Sequence, residues 1–141
     1  MRPLASIAAV LALVACVGCG PAKVNTVTVS GKVTLDSQPI SKGSITFVAA
    51  DGGTPTGGGS IVDGAYTADV PPGKKVVLVV GSKLIGQEKV YADMPDSPMR
   101  DKYQTITPPA YNAEHLTSLK ADITESKTGL DFDLTAKPAA K

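Results

Sequence analysis

Val27-Thr28-Val29-Ser30-Gly31-Lys32-Val33-Thr34-Leu35 decides the fold. Every second residue is apolar or glycine, and the residues between are polar. A period of two places the two sets on opposite faces of a strand, so this stretch has one face to bury and one to leave in water. Gly31, inside the apolar set, marks a bulge or a close backbone approach. Asp36-Ser37-Gln38-Pro39 then turns the chain, because aspartate bonds to its own downstream backbone and proline fixes φ.

The same logic extends outward. Residues 43–48 form a second strand, with Ile45 and Phe47 on one face. Residues 51–59 hold no apolar anchor and read as a mobile loop, with Gly57-Gly58-Gly59 a flexible linker. Residues 60–62 and 65–70 flank Asp63-Gly64, a two-residue hairpin signal. After Pro71-Pro72-Gly73-Lys74, the Val/Leu run of 75–80 predicts a central strand buried on both faces. Pro95, Pro98, Pro108 and Pro109 interrupt regular structure, so 82–113 reads as an extended surface excursion, within which 87–93 is open between a strand and a helical turn. Alternation returns over 116–124 and 129–134. About seven short strands separated by turn signals, with no strong helix, predict an all-β antiparallel sandwich, since two apolar sheet faces must cover each other.

The N-terminus carries different information. Met1-Arg2 is a short positive start, and 3–15 is almost wholly apolar or small. This is the pattern of a secretory signal, and it is too short to span a bilayer. Leu13-Val14-Ala15-Cys16 resembles the lipobox of bacterial lipoproteins, which implies acylation of Cys16 as the mature N-terminus. Cys19, after Val17-Gly18, is the alternative lipidation site. The expected organisation is a lipoprotein signal peptide (1–15), a lipidated N-terminus and tether (16–26), a sandwich domain (27–135) and a polar tail (136–141).

Both cysteines of the chain lie in this N-terminal segment, so the domain is expected to fold without a disulfide or a thiolate metal site. Lys and Arg number 14 against 13 Asp and Glu, and no basic block appears. Nucleic-acid binding needs concentrated cationic charge, so no nucleic-acid partner is expected.

Val29 to Asp36, Gln38-Pro39-Ile40 and Gly43-Ser44-Ile45-Thr46-Phe47 resemble the opening of carboxypeptidase regulatory-like domains. Asp63-Gly64-Ala65-Tyr66 and Val70-Pro71-Pro72-Gly73-Lys74 resemble that family's following hairpin and Pro-Gly turn. Pro109-Ala110-Tyr111-Asn112 and Leu130-Asp131-Phe132-Asp133-Leu134 are similar to segments of small planctomycete-type lipoproteins that carry this domain alone. The resemblance implies a transthyretin-like (prealbumin-like), seven-stranded Greek-key-type sandwich. Its motifs are turn and core residues, which specify fold rather than function.

No residue pattern demands catalysis. His115 is the single histidine, and Arg100 the single arginine beyond the leader. A small hydrolase or ligand-binding enzyme on a transthyretin-like scaffold, the alternative function, would need His115, Arg100 and an acid brought together. Asp131 and Asp133, with Asp122 and Glu125 nearby, read as a solvated strand face rather than a Ca²⁺ site. A Lys–Asn cross-link from Lys32 or Lys75 to Asn112 is conceivable but not required by spacing. Tyr66 is in phase with the core, whereas Tyr91, Tyr103 and Tyr111 fall in the excursion and form the candidate contact surface. The expectation is therefore a non-enzymatic, exported, lipid-anchored module with no cofactor or metal. It would be tied to the membrane by its lipid, outer-membrane or periplasm-facing, with an envelope protein or glycan as partner.

Overall fold

The computed structural model describes residues 24–53 and 55–137. The signal peptide, Cys16, Cys19 and most of the tether lie outside the described residues, as does the tail beyond 137. The described chain is all β apart from one short 3-10 turn. The strands are β1 (Val27–Leu35), β2 (Gln38–Pro39), β3 (Lys42–Ala49), β4 (Gly57–Val62), β5 (Ala65–Val70), β6 (Gly73–Lys89), β7 (Met99–Thr105), β8 (Lys120–Ile123) and β9 (Phe132–Leu134). The turn spans Pro109–Tyr111.

Hydrogen bonding runs in the order β2-β1-β5-β4-β3-β6-β7. β8 adds to the start of β6, and β9 adds to the end of β1. All pairings are antiparallel except β1 with β9, which is parallel. The sheet curls over one apolar core, giving the sandwich-like architecture that the alternating pattern of β1 demands.

The core follows the predicted phase. Val29 and Val33 of β1, Ile45 and Phe47 of β3, Ile61 of β4, Tyr66, Ala68 and Val70 of β5, and Val77 and Val79 of β6 are buried. Ile123, Phe132 and Leu134 close the open side. Phe47, Tyr66 and Phe132 meet as a triangle of tilted rings with centroids 6.2–6.3 Å apart, within the range favoured by aromatic pairs. The Asp63-Gly64 turn is as expected, with φ of 49° and 78° and Val62 paired to Ala65.

Four expectations need correction. There are nine strands among the described residues rather than about seven, because β2 and β7 were not legible as strands. Gly57-Gly58-Gly59 is not a linker but the first half of β4, paired to Phe47, Thr46 and Ile45. A Cβ on any of the three would press on the carbonyl of Asp69, Ile45 or Thr67, so the absence of side chains is what lets β4 fit between β3 and β5. β6 is buried on one face only: Lys75, Val77, Val79 and Gly81 point inward, while Val80 is 37% exposed. Finally, 82–113 is not irregular, because its first three-quarters are a long hairpin formed by β6 and β7.

The phenol of Tyr66 donates a hydrogen bond to the Leu130 carbonyl at 2.8 Å. Burial, and secondarily the charge of Asp131, push its ionisation well above the ordinary tyrosine range. A folded-state value above the unfolded one, about 10, means that the group supports folding fully below pH 10 and loses that support as pH rises further. Tyr66→Phe is therefore expected to cost about 1 kcal/mol at neutral pH, from the lost hydrogen bond. The wild-type advantage should then shrink above pH 10, measured as the difference between the two urea-unfolding curves at each pH.

Candidate interaction surface

β6 is the longest strand at 17 residues, and it outruns its partner β3. The last β3 pairing is Lys42 with Ser82, and from Lys83 onward β6 pairs only with β7. Leu84 pairs with Tyr103 and Gly86 with Lys102, so Ile85 is an extra residue. This is a bulge, and Gly86 takes the φ of 143° beside it. The result is a two-stranded arm, 83–89 against 99–104, that leaves the sandwich.

The connection 90–98 is tied down by its own bonds. The Val90 N–H donates to the Pro98 carbonyl at 2.9 Å, and the Tyr91 N–H donates to Ser97 Oγ at 2.8 Å. The Met94 and Ser97 N–H groups donate to the carbonyls of Tyr91 and Met94. Pro95 and Pro98 thus sit in the turn of a hairpin, where no ladder needs their missing N–H, while Pro108 and Pro109 open the 3-10 turn beyond β7.

Register divides the arm into two faces. Lys83, Gly86 and Glu88 lie with Gln104, Lys102 and Arg100 on one. Leu84, Gln87 and Lys89 lie with Tyr103, Asp101 and Met99 on the other. On the first, Glu88 Oε1 accepts from Arg100 Nε at 3.0 Å and from Nη2 at 2.7 Å, while its Oε2 stands 3.1 Å from Lys102 Nζ. Hydrogen bonds from Lys102 first, then Arg100, hold the Glu88 carboxyl below its usual range. The second face continues the outer face of the sandwich. Lys42 Nζ stands 4.5 Å from the Tyr103 ring centroid, a cation–π contact that fixes the ring. Gln87 Nε2 donates to Asp101 Oδ1 at 3.0 Å.

Two of the three tyrosines expected at a contact surface are on this arm and in water: Tyr91 is 58% exposed and Tyr103 39%. Tyr111 is not. The 3-10 turn begun by Pro109 swings it inward, where it is 6% exposed and its hydroxyl accepts from the Thr135 N–H at 3.2 Å. Sequence reading missed Leu84, Ile85, Met94 and Met99, which share the arm with the two tyrosines and are each about half exposed. The available signal was their apolar character in a segment with no core phase.

The other candidate residues stay apart. His115 lies in a shallow depression with Val76, Glu114, Thr117 and Lys120. Arg100 pairs with Glu88, twelve residues farther along β6 than Val76, or about 40 Å of extended strand. Asp131 Oδ1 accepts from the Lys32 N–H at 2.7 Å, and Asp133 Oδ1 accepts from the Thr34 hydroxyl. The two acids are thereby tied to β1, and no group of three or more His, Cys, Asp or Glu able to hold a metal occurs among the described residues. Lys75 is buried and donates to the Pro55 carbonyl at 3.3 Å. Asn112 accepts from Thr107 at 3.1 Å, and Thr107 in turn accepts from the Gly81 N–H. Gly81 is six residues from Lys75 on the same strand, about 20 Å, so these two are not placed to cross-link. No helix of the described residues is long and apolar enough to cross a membrane. The chain matches no known protein-family profile, no curated protein and no solved structure.

Proposed function

We propose that this protein is a non-enzymatic, exported, lipid-anchored module with an accessory binding role in the cell envelope, and that the β6–β7 arm is its working surface. The resemblance to carboxypeptidase regulatory-like lipoproteins supports the reading, as does the lipobox-like Leu13-Val14-Ala15-Cys16. The observation that carries it is the position of the arm relative to Val27, where β1 begins. Lys32, Ala65, Val62, Lys42, Ser82 and Thr105 are successive register partners across the sheet, and they define one pole. The arm departs from that pole. Val27, paired with Val70, lies toward the opposite pole, five residues back along β1. A domain held to a membrane through residues just before Val27 would therefore present the arm to the aqueous compartment. Loops and extensions carried on a rigid scaffold are the usual seats of recognition.

The test is intact mass and membrane fractionation of the protein from its native host. The expected product carries a diacylglyceryl group on Cys16 and sediments with membranes. Cys16→Ser is expected to move nearly all of it to the soluble fraction, with Cys19→Ser unchanged. Retention in the membrane fraction by Cys16→Ser and release by Cys19→Ser would move the anchor to Cys19. A soluble, unacylated wild-type protein would overturn the anchored reading.

A further inference from the structure

We propose that the outer edge of β7 is a docking site for an extended, acidic strand of a partner protein, which adds to the sheet beside Met99–Thr105. The proposal rests on the accessory-binding reading above and names the partner's chemistry. Three observations carry it.

The first is that β7 ends the hydrogen-bonded order, and its far edge has no partner strand among the described residues. All seven of its residues are exposed, and none is proline. The opposite end of the sheet is treated differently: there β9 and the Val29–Lys127 bridge cover the side of β1 that faces away from β5. An uncovered edge of this length presents a row of backbone donors and acceptors to an incoming strand.

The second is charge. On one arm face a single carboxylate, Glu88, serves Arg100 and Lys102, with Lys83 on the same face. Three cations against one anion leave that face positive. The incoming strand would set its own residues beside Arg100 and Lys102 at every second position, so carboxylates with that spacing are complementary. Its intervening residues would lie beside Met99 and Tyr103, which favours apolar ones.

The third disfavours a second copy paired along the full length of β7. Two copies of β7 related by a twofold axis keep the same face up, so residues of equal parity oppose each other. A register centred on Asp101 sets Arg100 against Lys102 of the other copy. One centred on Lys102 sets that lysine against its twin. Like charges placed directly opposite are destabilising, so the edge resists self-pairing while remaining open to an acidic strand.

The probe is a synthetic peptide of β7's length that alternates glutamate and valine, with a lysine–valine peptide as its counterpart. Both are titrated into the full chain, with amide hydrogen exchange read by mass spectrometry. The expected result is slowed exchange over 99–105 with the glutamate peptide, and affinity for it about tenfold or more above that for the lysine peptide. Arg100→Gln with Lys102→Gln should remove the preference. Combining Glu88→Lys, Arg100→Glu and Lys102→Glu keeps the internal ion pairs with reversed sign, and should shift the preference toward the lysine peptide while the melting temperature holds. Equal affinity for both peptides would overturn the proposal. So would protection away from 99–105, or concentration-dependent dimerisation that protects 99–105 without peptide. Cys16 lies outside this readout, so failure here with the lipid in place would remove the docking edge and leave the anchored module standing.

Discussion

Phe47→Ala is expected to lower stability by about 3–5 kcal/mol, the usual cost of removing a buried aromatic ring. Phe47 is fully buried, and it is one corner of the ring triangle with Tyr66 and Phe132. Those two rings belong to β5 and β9, so the lost contacts are spread over both sides of the core. β3 is pinned on each side by β4 and β6, which limits how far the backbone can collapse into the space left behind. A domain of this size has about 5–15 kcal/mol in total, so the variant should sit near its unfolding threshold at 37 °C. Urea unfolding should show a lower midpoint at unchanged slope. Phe47→Leu, which refills most of the volume, should cost markedly less. A loss below about 1 kcal/mol for the alanine variant would mean that the ring triangle is not the centre of the core.

Gly31→Val should be comparably severe for a different reason. Gly31 stands opposite Tyr66 in the β1–β5 register, and the backbone at Leu130 crosses directly over it. A Cβ at position 31 would stand on the Leu130 carbonyl. That carbonyl accepts the Tyr66 hydroxyl, and the Leu130 N–H donates to the Ser30 carbonyl at 3.0 Å. Moving Leu130 aside therefore loses two hydrogen bonds, each about 1 kcal/mol, on top of about 1–3 kcal/mol of overpacking. Gly31→Ala should show the smaller part of the same effect. The check is again urea unfolding, with amide exchange at 127–134 expected to speed up before the rest of the domain. Exchange that accelerates uniformly would place the clash elsewhere.

The two substitutions mark what could be read from the sequence. Period-two alternation located β1, β3 and β5, and it assigned Ile45, Phe47 and Tyr66 to the core because burial of one face writes itself into every second residue. The glycine at 31 announced a close approach without naming what approaches, since Leu130 lies almost a hundred residues away. Pattern reasoning failed wherever burial stopped supplying a phase. Leu84 and Tyr103 share one face of an arm whose β7 strand is exposed on both, so no alternation marks their strands. Gly57-Gly58-Gly59 looks like a linker because glycine also fills linkers, and only the neighbouring carbonyls show why it is needed. Tyr111 was placed at the surface because the prolines before it read as exposure, whereas they build the turn that buries it. The arm's apolar tip and its charged face were present as residues, but their convergence depends on a pairing register that the bulge at Ile85 shifts.

The parallel pairing of β9 with β1 has a kinetic meaning. Val33, Thr34 and Leu35 find their partners at Phe132, Asp133 and Leu134, across 99 positions of chain. Such contacts raise the mean sequence separation, which slows folding, because loop-closure entropy is spent before the contacts form. The ring triangle cannot close until Phe132 is available. A chain that has ordered β1 to β8 therefore holds two corners of the triangle and waits for β9 to bring the third.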